Sequence, residues 1–92
     1  MIFKYSKIKD LKLKAQRGIG FEEIIRFINK GCVLDTLIHH NLKQYPAQEL
    51  MIVDIEGYAW VIPYEKKEDE LHLMTAYKSR KYTKIYLGEK SE

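Results

Sequence analysis

At 92 residues, 46% of them hydrophobic and 32% charged, the chain has the size of one domain and the make-up of a folded protein, which excludes a disordered tail. So small a core leaves no room for a deep private pocket, so no cofactor is expected and any chemistry belongs on a surface or in a shallow cleft. The formal charge of +3 hides an uneven distribution: residues 1–17 carry six cations against one acid, residues 18–77 five against ten, and residues 78–92 five against two.

Two basic ends brought together by the fold would make one positive patch suited to phosphate; kept apart, they are two solvated helices. The single cysteine, Cys32, permits no internal disulfide, which fits a reducing compartment. The first residues, "MIFKYSKIKDLKLK", lack the apolar run of a signal peptide, and no stretch approaches the ~18 apolar residues of a membrane span. A cytoplasmic location without a membrane partner is expected.

The first predicted element is a helix in "SKIKDLKLKAQRG", with Ile8, Leu11 and Ala15 on one face and lysines around the rest. Gly18 is placed to end it in a left-handed cap. A second helix carries Phe21, Ile24, Ile25 and Ile28 as a buried stripe, with Glu22 and Glu23 in its first turn and Gly31 as its stop. Val33 to Ile38 reads as a short strand and "HNLKQYPAQ" as a loop.

"ELMIVDIEGYAWVIPYE" is a hairpin turning at Glu56-Gly57. Pairing Ile55 with Tyr58 puts Met51, Val53, Ile55, Tyr58, Trp60 and Ile62 on one face, and Ile52, Ala59 and Val61 on the other. Pro63 cannot donate to a ladder and should mark a strand end or edge. "KKEDE" is a solvated turn and "LHLMTA" a further strand. Ser79 N-caps a short closing helix, with Tyr82, Ile85 and Tyr86 on one face and Arg80 and Lys84 on another. The expected architecture is α+β, with the helices packed on one face of a small antiparallel sheet of three to four strands: one domain over residues 1–92, with two N-terminal helices and a short C-terminal helix.

For chemistry, Cys32, His39, His40 and His72 reproduce no zinc-ligand spacing, so no metal site is expected. No Gly-rich phosphate loop and no nucleophilic triad stands out. His39 and His40 both lie beside a polar loop and can serve general acid/base work, since a histidine titrates near neutrality. Tyrosine and lysine, with reference pKa values near 10, are poorer bases. Tyr82 and Tyr86 serve either as core and rim residues or as stacking platforms. Arg80 and Lys81 open a capped helix, a position that already favours anions.

Over nearly its whole length the sequence resembles the BrnT-like ribonuclease toxins of bacterial type II toxin–antitoxin systems. "FKYSKIKDLKLKAQRGIGFEEI" is similar to the family's opening segment, with Tyr5 at an aromatic position, Lys9 at a lysine, and Arg17-Gly18 where His-Gly is common. "VLDTLIHHNLKQYP" resembles a variant branch through His39, Asn41, Tyr45 and Pro46. "VDIEGYAWVIPY" is similar to the central hairpin and "SRKYTKIYLGE" to the closing segment. The sequence departs from the family at Ser6, where an acid is usual, and at Arg17.

The resemblance implies a RelE-like fold and metal-independent endoribonuclease activity that arrests growth, with RNA as substrate and a cognate antitoxin protein encoded beside it. His39 is then the acid/base candidate, and Arg80 and Lys81 stabilise the phosphate. Lys9, Arg17, Lys84, Tyr82 and Tyr86 contact RNA. A non-catalytic nucleic-acid- or antitoxin-binding module of the same fold is the alternative.

Overall fold

The computed structural model of the protein describes residues 2–88; Glu89, the end of the closing segment quoted above, lies outside them. The chain runs β1 (Ile2–Lys4), α1 (Lys7–Arg17), α2 (Phe21–Asn29), β2 (Val33–Ile38), β3 (Gln48–Ile55), β4 (Tyr58–Lys67), β5 (Glu70–Leu73), β6 (Tyr77–Lys78) and α3 (Arg80–Leu87). The fold is α+β. No helix among the described residues is long and apolar enough to cross a membrane.

The β3–β4 hairpin is the frame. It pairs in one register from Ile55–Tyr58 to Gln48–Glu65. Glu56 and Gly57 both take positive φ (54° and 85°), the paired left-handed geometry of a tight hairpin turn, and Gly57 N–H donates to Asp54 Oδ1 at 2.8 Å. β2 adds antiparallel to β3, β5 and β6 add antiparallel to β4, and β1 adds parallel to β5. The sheet therefore has six strands and is mixed, where three to four antiparallel strands were expected. The additions, β1 and β6, are three and two residues long, too short to carry a legible alternation.

The hairpin is apolar on both sides, and helices cover both. Met51, Val53, Ile55, Trp60 and Ile62 pack with Leu13, Phe21 and Ile24 of the first two helices. Leu50, Ile52, Ala59 and Val61 pack against Tyr82, Tyr86 and Leu87 of α3. The expectation of helices on one face is corrected accordingly.

α1 is also turned differently from its sequence pattern. Ile8 and Leu11 are 69% and 59% exposed, and Asp10 and Leu13 face inward instead. The reason lies in the next helix. α2 begins at Gly20, which has no side chain to cap it, and Asp10 Oδ1 accepts from Phe21 N–H at 2.8 Å in that role. The approach is close: a Cβ on Gly20 would lie 2.5 Å from Lys14 Cε and 2.9 Å from Asp10 Oδ1. Gly18 takes the expected left-handed cap at φ 73°. On α3, Ser79 caps Tyr82 N–H at 3.0 Å, but the buried residue of that helix is Thr83, and Ile85 is exposed.

Pro63 lies inside β4 and not at its end. It shares the alternation of Ala59 and Val61, whose backbone groups face away from β3. On that side β6 pairs with Trp60 and Val61, and β5 pairs from Tyr64 onward. Pro63 occupies the seam between them, where a missing N–H costs nothing, and its carbonyl accepts from Met74 N–H at 2.9 Å.

Candidate functional site

A cleft of about 550 Å³ opens where α1, the end of β2 and the Met74–Tyr77 segment converge. Lys9, Lys12 and Gln16 form its α1 wall, at i, i+3 and i+7 on one helix face. His39, His40 and Tyr45 form the facing corner, and Tyr77 closes the side. A local turn builds that corner: Tyr45 N–H donates to Asn41 O at 2.9 Å and Gln44 N–H to Asn41 Oδ1 at 3.2 Å. The His39 ring is thereby held between His40 and Tyr45, at centroid distances of 4.6 and 4.7 Å.

His39 is buried, and desolvation, with a smaller contribution from the neighbouring His40, lowers its pKa below the ordinary histidine value. Its Nδ1 accepts from Asn41 N–H at 3.0 Å. That bond assigns the neutral ring's proton to Nε2 and leaves Nε2–H as the group available to the cleft. A neutral imidazole so fixed donates a hydrogen bond; it is poorly set up to take a proton. The exposed His40 beside it makes no hydrogen bond among the described residues.

The cleft continues along α1. Gln16 also lines a second pocket of about 350 Å³ with Arg17, Trp60 and Lys78. Arg17 and Lys78 then line a third, of about 380 Å³, that reaches Tyr58, Glu23 and Glu56. The Lys78 ammonium sits over two ring faces, 5.5 Å from the Tyr58 centroid and 5.8 Å from that of Trp60. One groove results, with α1 as one wall and the Thr75–Lys78 segment as the other.

The α3 residues singled out from the sequence stand apart from it. Arg80, Lys81 and Lys84 are exposed, and none of them lines these three pockets. Lys81 Nζ lies 5.3 Å from the Tyr82 ring. Tyr82 and Tyr86, 6.0 Å apart, pack against the β3–β4 face. Tyr86 OH donates to Asp35 Oδ2 at 2.6 Å; that hydrogen bond, more than desolvation, raises the phenol's pKa.

The fold thus brings Lys9 to His39 and puts Arg17 in the adjoining pocket. Arg80, Lys81, Lys84, Tyr82 and Tyr86 form a separate surface. His40, named with His39 from the sequence, lines the same cleft; Lys12, Tyr77 and Lys78 were missed. Lys12 was findable, three residues from Lys9 on a helix, whereas Lys78 enters the groove only through the pairing of β6 with Trp60. No protein-family model matches the chain, and neither does any curated protein or solved structure.

Proposed function

We propose that the protein is a metal-independent endoribonuclease acting as the toxin of a toxin–antitoxin pair. The observation that carries this reading is the groove itself. Lys9 and Lys12 face two histidines across a cleft edged by Tyr45 and Tyr77, so cations, proton-transfer groups and aromatic rings converge at one place.

In the reaction, a ribose 2′-oxygen attacks the adjacent phosphorus as the bond to the 5′-oxygen breaks, giving a 2′,3′-cyclic phosphate and a 5′-hydroxyl end. His40 takes the 2′-hydroxyl proton, and solvent water gives a proton to the departing 5′-oxygen, which leaves as the 5′-hydroxyl. The Nε2–H of His39 donates to a phosphoryl oxygen, and Lys9 and Lys12 face the charge developing there. Arg80, Lys81 and Lys84, with Tyr82 and Tyr86 beneath them, hold flanking RNA phosphates and form the surface an acidic antitoxin segment would cover.

The second reading, a binding module without catalysis, is favoured by one observation: the Nδ1 of His39 is already occupied by Asn41 N–H. Incubating purified protein with RNA in EDTA separates the two. Cleavage leaving cyclic-phosphate ends, lowered by about two orders of magnitude or more in His40→Ala, supports the nuclease. RNA retained intact in a gel shift supports the binding module.

A further inference from the structure

We propose that Arg17 and Lys78 form a terminal phosphate subsite that fixes the length of single strand held in the groove at about four nucleotides. This rests on the reading of the groove as an RNA site, and it concerns the end remote from the histidines.

Arg17 and Lys78 stand on opposite walls, one from the last turn of α1 and the other from β6. Among the described residues neither forms an ion pair. Lys78 is held over Tyr58 and Trp60, so its ammonium is positioned before any ligand arrives, and Arg17 offers a fork that matches phosphate. The pocket they share with Gln16 and Trp60 contains no carboxylate. Immediately beyond, Glu23 and Glu56 enter the lining. The cationic track that starts at Lys9 therefore stops at Arg17 and Lys78 and meets negative charge, which repels a further phosphate.

Helical rise sets the span. Lys9 and Arg17 are eight residues apart on α1, or about 12 Å along its axis at ~1.5 Å per residue. At ~3.4 Å per stacked nucleotide, that is roughly three to four steps. The ligand class is a single strand read through backbone phosphates at both ends of a short window.

The test uses fluorescently labelled oligodeoxyuridylates of two, four, six and eight nucleotides, which bind but lack the 2′-hydroxyl and cannot be cut. Anisotropy should show affinity rising about tenfold from the dimer to the tetramer and by less than twofold from there to the octamer. Arg17→Ala and Lys78→Ala, each checked for folding by circular dichroism, should collapse the tetramer-to-dimer ratio and reduce the salt slope by about 0.7 apiece. Glu23→Gln combined with Glu56→Gln should let the gain continue to the hexamer. Affinity climbing steadily to the octamer in the unaltered protein, or a ratio unchanged in both cation variants, overturns the subsite. Cleavage of RNA without any length dependence overturns the subsite alone; failure to bind or cut any RNA overturns the parent reading with it.

Discussion

Replacing Asp10 by alanine tests whether one carboxylate joins the first two helices. Asp10 is 8% exposed, and its Oδ1 takes the Phe21 N–H at 2.8 Å while Oδ2 lies 3.3 Å from Lys14 Nζ. Phe21 is fully buried, so its N–H has no route to water once the carboxylate is gone. A hydrogen bond to a charged group contributes about 1.5–3 kcal/mol, and an N-cap about 0.5–2 kcal/mol; these describe the same contact and are not summed. The Lys14 side chain is 54% exposed, so that i, i+4 pair adds at most about 0.5 kcal/mol. The expected cost of Asp10→Ala is therefore about 2 kcal/mol, with Asp10→Asn near half of that because its amide oxygen can still accept. In a domain of this size such a loss lowers Tm by roughly 8–16 °C and moves the urea midpoint by roughly 1–2 M at unchanged slope. Equilibrium urea unfolding followed by circular dichroism reads it. A change below about 0.5 kcal/mol in Asp10→Ala, or a Lys14→Ala cost equal to it, would refute the capping argument.

Gly20→Ala should destabilise by about 1 kcal/mol in urea unfolding, against the usual gain at a backbone-compatible site, because the new methyl meets Asp10 Oδ1 at 2.9 Å. In an Asp10→Ala background the penalty should vanish, since the Lys14 end can swing away, and additive costs would exclude the contact. The lowered pKa of His39 gives a pH signature with a definite sign. The unfolded chain protonates this ring near pH ~6.5 while the folded chain resists, so the stabilisation is complete above that value and is lost as pH falls through and below it. Subtracting the stability–pH curve of His39→Asn from that of the unaltered protein should leave a component that falls on acidification from about pH 7 to 5; a flat difference would contradict the burial argument.

What the sequence made legible was local. The β3–β4 hairpin could be read because Glu56-Gly57 marks the turn and the flanking residues alternate, and Gly18 and Ser79 could be read because a cap acts within one helical turn. α1 was oriented wrongly because Ile8, Leu11 and Ala15 make the better apolar stripe. The inward turn of Asp10 depends on the bare start of α2, eleven residues later. β1 escaped because Phe3 finds its partner, Leu71, across most of the chain. The groove divides in the same way. Lys9, His39 and His40 carried cues of their own and line one cleft, whereas Lys78 acquires its place only when distant segments close on one another. Tyr86, open to a core or rim role or to stacking, packs at the rim and is engaged with Asp35, a contact that only the folded chain creates.

The seam at Pro63 gives the groove a freedom that the rest of the sheet lacks. β5 and β6 are held to β4 by separate ladders on either side of it, and only the short link around Thr75 joins them. That link also borders the cleft, as do Pro63 and Met74. Lengthening or shortening it would change the width of the cleft without altering the register of β3 on β4, because the turn at Glu56-Gly57 sets that pairing independently. A descendant of this chain could therefore alter what it admits by insertion at one point, with the hairpin and both helical layers left as they are.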